Sequence, residues 1–485
     1  MASTARFSKA TVVASALVFI FVVVYYIPYH QHASALSRTK NAATEEALAD
    51  LQAGLEVYAH RIPSAEDFVP YFDTVLELPN ITLEDAKASC HWDEPERVNF
   101  QFEPTADWNV NDRPSEEINK KREQWQTYIR DGFATMNYSQ YQNRFVGRGI
   151  VIIAGNEQTI MRVQMLLKAL NRLGSQLSVE IHYYDQELND TIQQNLTSLR
   201  PDISFIDLSS PTNVVQVTPG LIDGRNYHFK TAALLNSHFA EPLMLDADNI
   251  PIIDPVTLYD TPLYSEYGSI FWPDISRTRP TNPIWAITNT ACTTTEYEQE
   301  SGQLLVDKRR FFYHLLLAHF FASDAFYYGQ ILLGDKDLFR FAWHALKTRY
   351  GFPPKWVTSV GTLNDGYYCG HTFAQHHPDG RAAFMHAGLL KMMDVDVMRW
   401  QKEVNGGVWQ VYKQWDEDGD RENGTLSRIK FDNAEYVPAE SKNGPGRVGW
   451  CVDFDEVTAR PLQELVPGFE SFFEEIGGYW PIEAG

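Results

Sequence analysis

The pattern of apolar and polar positions changes twice along the chain. From Ala10 to Ile27 eighteen residues pass without a charge, rich in Val, Phe and Ile. A helix of that length spans ~27 Å, about the hydrocarbon thickness of a thin early-secretory bilayer. Arg6 and Lys9 precede the run, and Tyr25 and Tyr26 stand at its end. This predicts an uncleaved signal anchor with its positive end in the cytosol and everything after Pro28 in the lumen. Arg38 and Lys40 weaken that asymmetry without reversing it. A cleaved signal peptide is the alternative, with Ala33-Ser34-Ala35 as its site, although the apolar run is longer than an ordinary signal core. Thr44 then caps a predicted helix carrying Leu48, Leu51, Leu55 and Tyr58 at helical spacing. That helix is a stem or a helix packed on the main domain. Residues 62–144 are mixed, polar and Pro-containing, and receive no assignment.

At Gly147 the pattern becomes one of alternating strands and helices. Gly149–Ala154 is a short continuous apolar run, as in a buried parallel strand. Gly155-Asn156 makes a turn, and Gln158–Leu173 reads as an amphipathic helix stopped by Gly174. Strands are predicted over Val179–Tyr184, Ile203–Ile206 and Pro242–Leu245, with a helix over Tyr227–Phe239. Such a βαβ series predicts an α/β domain with a mostly parallel sheet, binding its ligand at the carboxyl ends of the strands. Gly147 and Gly149 fit the start of a GxGxxG motif, but Ile152 stands in the third position and the glycines precede the strand. NAD binding is therefore not expected, and neither a P-loop nor a GxSxG elbow occurs.

Composition narrows the classes further. Hydrophobic residues make up 44% of the chain and aromatics 13%, enough for a large packed core. Lys plus Arg number 41 against 63 Asp plus Glu, a net charge of −22. So acidic a surface repels phosphate backbones, and no nucleic-acid partner is expected. Cys90, Cys292, Cys369 and Cys451 are too scattered for a disulfide framework or a zinc site. In a lumen they form one or two bridges, whose pairing the sequence leaves open. Sequons at Asn80, Asn137, Asn189, Asn195 and Asn423 agree with that placement, but occur about as often by chance. The acidic stretch Asp416–Gly424 fails the EF-hand pattern at Arg421 and Ser427, and reads as a solvated loop.

The chemistry concentrates in EPLMLDADNIPIIDP, Glu241–Pro255. An apolar strand delivers Asp246-Ala247-Asp248-Asn249, and two carboxylates one residue apart can converge on a hard divalent cation where the chain turns. Such a cation keeps open positions for a diphosphate, whose charge must be neutralised as it leaves a sugar. DxD alone is a weak signal and reads equally as an acidic turn. At the end of an apolar strand in a βαβ series it is a stronger one.

Residues from about Gly147 to Lys391 resemble the fungal Golgi mannosyltransferases of glycosyltransferase family 71, and among them most the α-1,2-mannosyltransferases that branch mannan. The matching segments are GRGIVIIAGN, YHFKTAALLNSHFAEPLMLDADNIPIIDP, GSIFWPDISRTRPTNPIW, ESGQLLVDKRR, GDKDLFRFAW and FMHAGLLK. The resemblance implies a single-pass type II Golgi enzyme with a GT-A-type, Rossmann-like catalytic domain. It implies retaining transfer of mannose from GDP-mannose, with Mn2+, to a mannosylated glycan of a glycoprotein, and membership of a Golgi enzyme complex. The expected order is a cytoplasmic tail (1–9), an anchor (10–27), a stem and lead-in (28–95) and a luminal catalytic domain (96–485, core 147–391).

Residue by residue, Asp246 and Asp248 correspond to the metal-binding pair, and His386 to a late histidine completing the coordination. Imidazole suits Mn2+ beside carboxylates; His371, His376 and His377 compete for the role. Lys230 would meet a donor phosphate, or is a solvated surface lysine. Gly155 and Asn156 stand where the nucleotide is held. Glu300 or Gln303 would stabilise the oxocarbenium-like centre or orient the acceptor hydroxyl. Asp335 and Asp337 would accept hydrogen bonds from mannose hydroxyls, or cap a helix. Trp272, Trp285 and Trp356 are sugar platforms or core. The rival readings are an α-1,3-mannosyltransferase of the same family, a UDP-sugar enzyme, and a non-catalytic glycan-binding protein, against which the intact DxD argues.

Overall fold

A computed structural model of the chain describes Ile62 and residues 64–90, 113–220, 226–293, 296–332, 334–364, 366–415, 429–434, 449–454 and 457–483. The predicted anchor, the stem helix, the Asp416–Gly424 loop and its Asn423 sequon lie outside the described residues. Among the described residues no helix is long and apolar enough to cross a membrane.

The βαβ series forms where the pattern predicts it. β1 (Arg148–Ile153), β2 (Ser178–Tyr183), β3 (Ile203–Asp207) and β4 (Glu241–Leu245) are followed by short β5 (Asn249–Pro251), then β6 (Ser269–Pro273) and β7 (Gln299–Val306). Six of them make one sheet in the order β3-β2-β1-β4-β7-β6. The pairings β3–β2, β2–β1 and β1–β4 are parallel, whereas β7 runs antiparallel to both β4 and β6. Side chains alternate across it. Val151, Met244 and Leu304 face one core, while Ile150, Ile152, Leu243, Leu245 and Leu305 face the other.

The helix after β1 spans Glu157–Arg172. Asn156 caps it, its side chain accepting from the Thr159 amide at 2.9 Å, and Gly174 ends it in the left-handed region. The predicted Tyr227–Phe239 helix is shorter, His228–Asn236, because the chain turns extended at Ser237, whose carbonyl accepts from buried Lys308.

Two parts went unassigned from sequence. Residues 65–135 supply the helices Ala65–Glu77, Leu83–Ala88 and Ser115–Thr135. The first and third clasp the Lys308–Ser323 helix, with Phe133 edge-on to Tyr313 at 4.8 Å, while the second packs on the Ile284–Ile287 helix. The carboxyl-terminal part adds β8 (Thr358–Asn364), β9 (Tyr367–His376), β10 (Ala382–His386), β11 (Val411–Lys413), β12 (Ile429–Ala434), β13 (Gly449–Phe454) and β14 (Arg460–Pro461). Their pairings are all antiparallel, so the description "mostly parallel" holds for the first sheet alone. The cysteines pair as Cys90–Cys292 and Cys369–Cys451, the first tying the amino-terminal helices to the core and the second joining β9 to β13.

Buried Glu180 on β2 ties that strand to the turn before β4, accepting from the His238 amide at 3.1 Å and lying 3.3 Å from His182 Nε2. Burial alone would raise its carboxyl. The bonds from His182, Ser237 and His238 outweigh that and hold the pKa at about 2, against an ordinary 4.5. A depressed carboxylate stabilises the fold above its unfolded pKa and loses that contribution as pH falls through the native one. The shift corresponds to about 3 kcal/mol. Glu180→Gln is therefore expected to be less stable than the wild type at neutral pH by about 2–3 kcal/mol. Urea melts at stepped pH should show this gap level down to about pH 4.5 and closing towards pH 2. A gap that persists undiminished at the acid end would contradict the assignment.

Candidate functional site

Three features of the topology converge on one point. Parallel β1 and β4 end at the same edge, so Gly155 and Asp246 lie along one rim. Antiparallel β7 begins at that rim, with Gln303 opposite Leu245. β10 pairs antiparallel with β5, with His386 opposite Asn249. Segments more than 130 residues apart are thereby brought to the end of β4.

The DADN stretch is a tight turn, the Asn249 amide donating to the Asp246 carbonyl at 3.0 Å. The Asp246 amide in turn donates to the Gly302 carbonyl at 2.8 Å, and the Ala387 amide to the Asp248 carbonyl at 3.0 Å. Ligand atoms of Asp246, Asp248 and His386 all lie within 4.8 Å of one another. His386 Nε2 is 3.4 Å from Asp248 Oδ1 and 3.9 Å from Asp246 Oδ2. Two carboxylates and an imidazole form a donor set that fits a hard-to-borderline divalent cation. His371, His376 and His377 do not take part. His371 bonds the Val408 carbonyl, His376 bonds Thr358, and His377 pairs with Asp379.

A lysine flanks the cluster on each side. Lys230 is buried, not solvated: its ammonium lies 2.8 Å from Asp246 Oδ1 and 2.8 Å from Asp335 Oδ2, and donates to the Ser301 carbonyl at 3.0 Å. Lys391 reaches Asp248 Oδ2 at 2.8 Å. Burial opposes each of these charges, and the opposite charges win at Asp248 and His386 but not at Asp246. Desolvation would raise Asp248, but His386 and Lys391 hold it well below the carboxylate range. Desolvation would lower His386, but Glu300 and Asp248 raise it well above an ordinary histidine. Asp246 is raised by burial, with Lys230 opposing.

Behind the cluster runs a chain of buried groups. Glu300 Oε1 lies 2.7 Å from His386 Nδ1, while its Oε2 accepts from Gln303 Nε2 at 2.8 Å. Gln303 Oε1 accepts from Asn249 Nδ2 at 2.6 Å. Glu300 and Gln303, expected beside the reacting carbon, thus stand behind His386 and hold it in place. Gly302 makes room: a Cβ there would lie 2.5 Å from the imidazole Nδ1.

The other expected residues divide. Asp335 joins the site, accepting from Ser301 Oγ at 2.9 Å. It precedes the Lys336–Ala345 helix without making a side-chain cap. Asp337 does not join. Its side chain is 1% exposed and is held by Arg340 Nε at 2.8 Å, and burial pushes its carboxyl up to about 6. Gly155 lies at the rim, but the group crowding it is Glu187, whose carboxylate a Cβ would meet at 2.3 Å. Asn156 spends its side chain on the helix cap. Trp272 and Trp285 are fully buried core and not platforms. Trp356 packs between Tyr297 and Phe454. Lys391, Ser301 and Asn249 were not singled out from the sequence. The first stands five residues past His386 and the last adjoins the DxD, which are the signals that point to them.

Residues 147–297 and 286–377 match the family model described as "Mannosyltransferase putative". Over that stretch, just under half its length, the chain is similar to this mannosyltransferase family. It is 26% identical to alpha-1,2-mannosyltransferase MNN24 of Candida albicans over 47% of this chain and 37% of the relative. It is 23% identical to MNN23 of the same organism, over 57% and 53%. To MNN2 of Saccharomyces cerevisiae it is 28% identical, over 29% and 23%. The matches therefore span about half or less of the relatives' length. Among solved structures it is similar to the apo WbbM bifunctional glycosyltransferase at 13% identity and a TM-score of 0.31, over 43% of this chain and 39% of that one. The likeness to galactosyltransferase LgtC with donor and acceptor sugar analogs has 15% identity and a TM-score of 0.30, over 40% and 69%.

Substituting Gly302→Ala tests the packing behind the acidic turn. The added methyl is expected to push His386 out of line and weaken divalent-cation affinity about 10–100-fold, the loss typical of second-layer changes. Paramagnetic titration of Mn2+ into the full-length protein reads this directly. Unchanged affinity would mean that His386 is not held there for a metal.

Proposed function

We propose that this protein is a metal-dependent, retaining transferase that moves mannose from GDP-mannose to a mannose hydroxyl of a glycoprotein glycan, forming an α-1,2 bond. One observation carries the reading: in a chain similar to this family, Asp246, Asp248 and His386 meet at the end of β4 between two lysines. A bound divalent cation, Mn2+ in this reading, would be held by those three residues and would neutralise the charge developing on the departing GDP.

The chain's own residues do the rest. Lys230 and Lys391 are positioned on opposite sides of the cluster to bind diphosphate oxygens, each giving up part of its pairing with Asp246 or Asp248 to do so. Asp335, with Ser301 beside it, is the acceptor of hydrogen bonds from sugar hydroxyls. Glu300, Gln303 and Asn249 are positioning residues that fix His386 and the DADN turn. The acceptor hydroxyl attacks on the face that GDP leaves, which retains the anomeric configuration. A GT-A fold is the architecture this reading assumes. We further propose a type II Golgi placement with Ala10–Ile27 as the anchor. Two disulfides and the sequons support a lumen for the remainder.

Asp246→Asn and Asp248→Asn should each lower transfer about a thousandfold, a charge effect of several kcal/mol, with the melting temperature near wild type. The assay is detergent-solubilised full-length protein with Mn2+, labelled GDP-mannose and α-mannobiose, read by linkage analysis of the product. Near-normal transfer by either variant would break the metal assignment. An α-1,3 product, or turnover of UDP-sugars in place of GDP-mannose, would reassign the specificity.

A further inference from the structure

The two sides of the acidic cluster differ in kind. On the Lys230 side stand Asp335 and Ser301, a polar wall suited to sugar hydroxyls. On the Lys391 side opens a cavity of about 380 Å³ between the Glu157–Arg172 helix and the carboxyl-terminal end of the chain. Asp248 and Lys391 line it where it meets the acidic cluster, while Met165, Met398 and Trp480 make its walls mainly apolar. Arg162 also lines it and has no hydrogen bond or ion pair among the described residues. Among the described residues most arginines are tied to carboxylates or carbonyls, whereas Arg162 lines a mainly apolar cavity, where its N–H donors can meet a ligand.

A nucleoside diphosphate sugar has a matching order: a hydroxyl-rich sugar, an anionic diphosphate, and a planar base, apolar on its faces and polar at its edge. With the diphosphate at the acidic cluster and the sugar on the Asp335 side, the base falls on the side of the cavity. Its volume lies within the range of small-ligand pockets. An indole and thioethers suit the face of a base. An arginine fork matches a purine edge that presents two acceptors, as the O6 and N7 atoms of guanine do and adenine does not.

We infer that this cavity is the nucleoside subsite, with Trp480 packing on the base and Arg162 selecting a 6-oxopurine. The assignment rests on the donor reading under the proposed function, and goes beyond it by naming where and how the base is chosen. It also moves the base away from the Gly155–Asn156 turn, towards the second turn of the helix that follows.

Calorimetric titration of the full-length protein in detergent, with Mn2+ present, tests it using GDP, ADP and inorganic pyrophosphate. The wild type should prefer GDP to ADP. Arg162→Met should weaken GDP about 10–100-fold, abolish that preference and leave pyrophosphate unchanged. Trp480→Ala should weaken both nucleotides about 5–100-fold, again sparing pyrophosphate. If the wild type binds GDP and neither substitution alters it, or if pyrophosphate weakens equally, this assignment falls while the donor reading stands. A rise in the KM for the glycan acceptor with GDP affinity intact would give the cavity to the acceptor instead. If the wild type binds no nucleoside diphosphate, the donor reading fails and takes this assignment with it.

Discussion

Four carboxylates, Asp246, Asp248, Glu300 and Asp335, are gathered at the end of one strand and mostly removed from water. Anions so placed repel one another and have lost their hydration, so the arrangement persists only where positive charge is interleaved. Lys230, His386 and Lys391 supply it, each from a different part of the chain. They do not supply it equally. Lys230 is locked by two carboxylates and a carbonyl, whereas the Lys391 side chain is 43% exposed and holds one carboxylate oxygen. The centre is thus rigid on the Lys230 side and adaptable on the Lys391 side, where a ligand can enter.

That charge pattern is a product of strand direction. A purely parallel sheet would carry β7 away from the rim. By running antiparallel, β7 starts where β4 ends and lays Glu300, Ser301 and Gly302 beside Asp246. The second sheet has the same consequence through β10, whose last residue is His386. Gly302 is where the two contributions meet, and its missing side chain is the space the imidazole fills.

A second buried charge network lies close by with a different outcome. Lys336 bonds Asp274 at 2.7 Å and also reaches Glu298, while Arg340 joins Asp337 to Glu296. Each carboxylate there is held by Lys336 or Arg340, so the network anchors the Lys336–Ala345 helix to the segments that follow β6 and precede β7 and has no capacity left for a ligand. Asp335 and Asp337 are two residues apart and end in opposite roles, because the helix begins between them and turns one carboxylate out to the rim and the other into the core.

The periodicity of apolar residues determined the βαβ core and the strand before the DxD, and Gly174 the stop of the first helix, because each depends on neighbours within a few positions. The Ser115–Thr135 helix carried a helical spacing too, in Ile118, Trp125 and Ile129, but its many charged residues diluted it. Tertiary structure alone decided which cysteines pair, that Trp272 and Trp285 are core, that Lys230 is buried, and that Glu300 stands behind His386. Those outcomes are set by contacts between residues far apart in the chain, through strand direction and the second sheet, and no local pattern encodes the distance between two side chains that only the folded backbone brings together.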